Sequence, residues 1–133
     1  MSEHVPDKPV AHFTPGVAKP VAHYSHAVTA GGFAFVAGQV GFGPDGKLVG
    51  IGDVQAQTRQ MINNIRLSLE DVGLTLRNVV TTTVYLKNPE DYAAYEEVYK
   101  EMFGEWTPAR ATIIADLVRP DFLIEIQAVA AFS

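Results

Sequence analysis

Cysteine is absent from all 133 residues, which removes disulfides, thiolate nucleophiles and thiolate metal ligands and agrees with a reducing compartment. Positive charge is sparse. Ten Lys and Arg stand against 15 Asp and Glu, a formal net charge of −5, and the cations are scattered singly. No stripe could track a phosphate backbone, so nucleic acid is not expected as a partner. With no run of about 18 apolar residues, no membrane span is expected. The first twenty residues carry Glu3, Asp7, Lys8 and four prolines but no apolar signal-peptide core, which makes the cytoplasm the expected location. There is no internal repeat and no low-complexity tract. The glycines of A-G-G and A-G-Q-V-G lack the strand, loop and helix setting of a phosphate cradle, and no cofactor is expected.

What is present is apolar. Hydrophobic residues make up 47% of the chain and charged residues 19%, enough for one domain with a real core and a surplus that an oligomer would use. Residues 1–14 mix Pro, His, Asp and Lys without period and read as a flexible N-terminal arm ahead of a single domain over 15–133. Residues 23–28 and 33–40 suit strands joined through Gly31 and Gly32. The turn signal Gly43-Pro44-Asp45-Gly46 precedes a short strand signal at Leu48 and Val49. Asp53 reads as the N-cap of an amphipathic helix carrying Thr58, Met61, Ile62, Ile65, Leu69 and Val72 up to Gly73. V-V-T-T-T-V-Y-L-K, 79–87, is β-branched enough for a strand under that helix. Asn88-Pro89-Glu90-Asp91 then opens a second helix running to about Phe103. Residues 109–117 and 122–131 close the chain as two strands, expected to pair as a hairpin around 118–121. The order β-β-β-α-β-α-β-β predicts an α+β sheet of about six strands with both helices on one face. The other face then needs a partner, a further copy of the chain.

Two charged residues stand out in the closing strands. Arg110 sits at the mouth of the apolar run P-A-R-A-T-I-I-A, 108–115, and Glu125 sits in the run that follows. Alternation places Arg110, Thr112 and Ile114 on one face of their strand, and Leu123, Glu125, Gln127 and Val129 on one face of theirs. In a hairpin with Thr112 opposite Glu125, Arg110 faces Gln127 and lies diagonally about 7–8 Å from Glu125. Two readings fit. A partly buried arginine needs a carboxylate, and Glu125 would complete a structural ion pair. Alternatively the planar guanidinium forks onto a substrate carboxylate, as lysine cannot, while Glu125 manages a water or a proton.

H-Y-S-H-A-V (23–28), A-G-Q-V (37–40), T-T-V-Y-L-K (82–87), P-A-R-A-T (108–112) and I-E-I-Q-A-V-A (124–130) resemble, in this order and at similar spacing, the motifs of the RidA/YjgF family. The resemblance covers about residues 15–133. It implies a chorismate-mutase-like α+β fold, a homotrimer, and active sites in the clefts between subunits. It further implies hydrolysis, without cofactor or metal, of enamine and imine acids such as 2-aminoacrylate and 2-iminopropanoate to 2-keto acids and ammonia. Arg110 falls on the family's carboxylate-binding arginine and Glu125 on the carboxylate that positions the hydrolytic water. Tyr24, Gly38 and Thr112 fall on substrate-binding positions. One branch of the family acts on 2-aminomuconate, and an alternative function is a non-catalytic carboxylate-binding or chaperone-like member. A nuclease or translational inhibitor, also ascribed to relatives, finds no basic groove here.

The sequence departs from the family at Ala37, where serine is usual, at Glu96, where asparagine is frequent, and in a shorter loop before Pro108. A carboxylate at Glu96 in the pocket would repel a small anionic substrate or demand a different one; beside Glu97 it reads as a solvated helix-face acid. His4, His12, His23 and His26 cluster near the start. Strand residues three apart point to opposite faces, so His23 and His26 make no metal pair, but His26 is expected to edge the pocket near Tyr24. Trp106 is expected to anchor its loop, and Tyr85, Tyr92, Tyr95 and Tyr99 to serve packing.

Overall fold

Two consecutive glycines make the first turn. The computed structural model describes residues 8–133, and in it Gly31 and Gly32 take φ of +59° and +83°, conformations that glycine adopts without steric cost. Positive φ at both central residues matches the twist of the flanking strands. The turn therefore joins β2 (Ala27–Ala30) tightly to β3 (Phe33–Gln39), with Ala30 opposite Phe33. Upstream, β1 (Val10–His12) pairs antiparallel with β2, so the stretch read as an arm contributes an edge strand. The expected strand at Leu48 and Val49 shrinks to a single bridge between Phe42 and Leu48.

Helix α1 (Val54–Asp71) begins where Asp53 accepts a hydrogen bond from the Ala56 N–H at 3.1 Å, the expected N-cap. Its stripe of Met61, Ile62, Ile65 and Leu69 is wholly removed from solvent, worth roughly 1.5–3 kcal/mol for each side chain. Next come β4 (Val79–Leu86) and α2 (Tyr92–Phe103), which follows the Pro89 turn and buries Tyr95, Val98, Tyr99 and Phe103. Then β5 (Ala109–Ile114) runs parallel to β4, with Arg110 level with Thr82.

The last strand, β6 (Ile124–Ala131), inserts between β3 and β4, antiparallel to both. The sheet order is β1-β2-β3-β6-β4-β5. The expected hairpin of the two closing strands does not form, because β4 lies between them. Burial explains the choice. Every second residue of β6, Ile124, Ile126, Ala128 and Ala130, is buried, which suits an interior strand with a neighbour on each side. Strand β5 carries a charge and two half-exposed isoleucines, and an edge tolerates those. Both helices cover one face, giving the expected α+β architecture. On the opposite face Phe33, Phe35 and Ile113 remain 42%, 46% and 44% exposed, a large apolar area for a lone chain.

Candidate active site

Helix periodicity sets up one half of the site. Tyr92, Tyr95, Glu96 and Tyr99 recur at three- and four-residue steps and therefore share a stripe of α2. Arg110 and Thr112 alternate onto the helix-facing side of β5. The two rows meet. Tyr95 Oη and Thr112 Oγ1 share a hydrogen bond at 2.5 Å, and Tyr99 Oη and Thr82 Oγ1 share one at 2.8 Å. The Arg110 guanidinium lies 4.6 Å from the Tyr99 ring centroid, 5.5 Å from Tyr95 and 6.0 Å from Tyr92, the geometry of a cation against aromatic faces. Its Nη1 donates to Glu96 Oε1 at 2.5 Å and its Nη2 to Tyr92 Oη at 3.2 Å.

Burial works against the charge of Arg110, but the hydrogen bond to Glu96 and the charge of that carboxylate outweigh it and hold the pKa above the ordinary value. Burial also raises the Tyr95 and Tyr99 hydroxyls, keeping both neutral as hydrogen-bonding groups. The pair opens into a cleft of about 490 Å³ whose walls include Tyr99, Phe103, Trp106 and Pro108. Glu96 is thus not the solvated helix-face acid expected from the sequence. Trp106 does anchor its loop, since Nε1 donates to the Val79 carbonyl at 2.9 Å.

The other half lies around a bulge. Val36 pairs with Ala128 but Gln39 with Ile126, so Ala37 and Gly38 hold one residue more than the facing strand, a device that re-aims backbone near functional sites. Glu125 lies across that bulge. A Cβ on Gly38 would stand 2.5 Å from Glu125 Oε2, so any side chain here would displace the Glu125 carboxylate from its present position. No described residue hydrogen-bonds the Glu125 carboxylate, and burial alone pushes its pKa above the ordinary 4.5. Tyr24 and Gly38 line one narrow cavity of about 30 Å³ together with His26, so His26 does stand near Tyr24. The His26 ring is fully engaged: Nδ1 accepts from the Thr14 N–H at 2.7 Å and Nε2 donates to the Ala18 carbonyl at 2.8 Å. The strand expected over 23–28 begins only at Ala27, so Tyr24 and His26 lie in the segment that leads into it. His4 lies outside the described residues, and no group of three potential metal-ligating side chains assembles among those described.

Within one chain these halves do not meet. Arg110 is level with Thr82 and Ala128, Glu125 with Tyr85, and β4 stands between their strands. They also point to opposite faces: Arg110 turns toward α2, while Glu125 alternates with the buried row of β6 and turns to the open face. The ion pair or diagonal contact expected from a hairpin is therefore corrected. The carboxylate that pairs with Arg110 is Glu96.

Two residues that sequence reading passed over hold the flanks of Gly38 and Glu125. Gln57 Nε2 donates to the carbonyls of Gly50 and Asp121, both at 3.1 Å, while Oε1 accepts from the Leu123 N–H at 2.9 Å. Asn64 Nδ2 donates to the carbonyls of Val40 and Phe42 at 3.2 and 2.9 Å. Both are buried. Their sequence signal is a pair of amides seven residues apart on the apolar stripe of α1, where only a satisfied polar group is tolerated.

Fold and site together define a small α+β protein with one arginine held in an aromatic cleft at a sheet edge and an apolar sheet face left open. The model of the family described as Endoribonuclease L-PSP matches residues 16–132, and the chain belongs to that family, the YjgF/RidA family. A RutC family protein of Pyrococcus horikoshii is 44% identical over 118 residues, 89% of this chain and 94% of the relative. Among solved structures, the Escherichia coli YjgF gene product has a TM-score of 0.85 at 28% identity, with 92% of this chain and 98% of that one covered. Escherichia coli TdcF, solved with bound serine, has a TM-score of 0.84 at 26% identity, covering 92% and 99%.

Proposed function

We propose that the chain is a hydrolytic deaminase of enamine and imine acids, working as a homotrimer in which Arg110 of one copy and Glu125 of the partner subunit face the same cleft. The observation that carries the proposal is Arg110 itself. Of its five N–H groups, Glu96 and Tyr92 take two, and the remaining three suffice for a two-point contact with a carboxylate. TdcF, a relative of the same fold, was solved with an amino acid bound. The open sheet face beside Glu125 supplies the surface on which a second copy can bring its arginine.

The chemistry needs little more. A 2-iminium acid is already electrophilic at carbon. Water adds its oxygen there and one water proton passes to nitrogen by way of Glu125; the C–N bond of the resulting carbinolamine then breaks with its electron pair leaving on ammonia, while the hydroxyl proton passes to the Glu125 carboxylate and on to solvent, leaving the 2-keto acid. Orientation by Arg110 and one positioned water supply most of the rate. The raised pKa of Glu125 suits a group that takes up and returns a proton. Thr112 and Tyr24 shape the two sides of the cleft. Either 2-aminoacrylate or a larger enamine acid such as 2-aminomuconate can be offered.

A non-catalytic carboxylate-binding role is the second reading, favoured by the separation of Arg110 from Glu125 within one chain. The deciding measurement is ammonia and keto-acid release from enzymatically generated 2-aminoacrylate and, separately, 2-aminomuconate. Turnover that falls at least about 100-fold in Arg110→Ala and Glu125→Ala, both correctly assembled, is the expected result. Turnover absent from wild type, with carboxylate binding retained, selects the binding role.

A further inference from the structure

Arg110 does not meet a ligand as a bare cation. Glu96 already neutralises it, and both side chains line the same cleft of about 490 Å³. A guanidinium awaiting a simple carboxylate gains nothing from a permanent carboxylate beside it, because an incoming anion must push Glu96 aside or endure its repulsion. The arrangement makes sense for a ligand that carries both charges. Glu96 uses only Oε1 on Arg110; Oε2 has no hydrogen-bond partner among the described residues, and its side chain is 40% exposed. That oxygen can accept from an N–H held one or two bonds from the ligand carboxylate, while the spare donors of Arg110 take the carboxylate itself.

We propose that Glu96 is the nitrogen-binding residue of this cleft and that its ligands are zwitterions, α-amino or α-imino acids in the ammonium or iminium form, rather than simple carboxylates. The inference rests on the assignment of Arg110 as the carboxylate-binding residue and deepens it. An iminium acid bound this way keeps its nitrogen protonated against Glu96, the state that hydrolysis requires. The Tyr99, Phe103 and Trp106 side of the cleft leaves apolar room for the rest of the ligand.

The test compares two probes with the same tail: phenylalanine, a zwitterion, and 3-phenylpropanoate, which lacks only the ammonium. Isothermal titration of the assembled protein is expected to show phenylalanine binding at least about ten-fold tighter. In Glu96→Gln that preference disappears or inverts, through weaker binding of phenylalanine and tighter binding of phenylpropanoate, whereas Glu96→Asp retains it. Equal binding of both probes to wild type, a preference unchanged in Glu96→Gln, or no binding of either probe overturns the inference. Arg110→Ala separates the two levels. If it abolishes binding of both probes while wild type fails to discriminate between them, only the role of Glu96 falls. If it leaves both bound, the carboxylate assignment itself falls.

Discussion

Glu96 and Glu125 are the same side chain in different circumstances. Glu96 has a guanidinium against it; Glu125 sits over the Gly38 bulge with burial and no partner, and its pKa is raised. A carboxyl with a raised folded pKa holds its proton more tightly in the folded than in the unfolded chain. Its favourable contribution is complete below the ordinary value of 4.5 and is lost as pH climbs through the folded value. Glu125→Gln has no charge to desolvate at any pH. Its melting temperature is therefore expected to exceed that of wild type at about pH 7 and above, with the gap closing toward about pH 4. A thermal denaturation series in pH checks this, and a gap that ignores pH would show that desolvation is not the cause.

Among the elements, α1 fixes the segments that flank Gly38 and Glu125. Gln57 connects it to the loop after β3 and to the segment entering β6 through three hydrogen bonds, all from one buried side chain. Gln57→Leu leaves the Asp121 carbonyl and the Leu123 N–H unpaired, while the Gly50 carbonyl keeps the Asp53 N–H, and is expected to cost roughly 2–4 kcal/mol in urea unfolding. Asp53, Gly73 and Pro89 announce the helix boundaries locally, and the helices lie where the sequence places them. Strand pairing is a different matter. The interval 118–121 has the composition of a hairpin turn, yet whether β6 pairs with β5 or slides between β3 and β4 is decided by how much of each strand can be buried, a property of the whole sheet. Period-two alternation correctly places Arg110 with Thr112 and Glu125 with Gln127. It says nothing of which set turns toward the helices, so the shared faces were legible and the separation of Arg110 from Glu125 was not. Glu96 is legible as a candidate pocket carboxylate but not as the partner of Arg110, because its stripe with Tyr92, Tyr95 and Tyr99 acquires meaning only once β5 lies beside α2.

At the scale of the whole molecule, an apolar sheet face with Phe33, Phe35 and Ile113 half exposed lies on the same side as Glu125, while Arg110 looks the other way. A lone chain therefore keeps Arg110 and Glu125 apart. In the proposed trimer each cleft is heterologous, one copy supplying the arginine and the next the glutamate, and the contacts close into a ring. Mixing Arg110→Ala and Glu125→Ala copies before assembly is then expected to restore turnover. Every mixed ring holds one cleft in which both partners are intact, about a quarter of all clefts at equal proportions. Mixed protein as dead as its parents would overturn the shared cleft. For a cell, the proposed ring would make opposite faces of one sheet a matter of inheritance: two alleles that each fail alone would complement one another, because neither subunit would own a complete site.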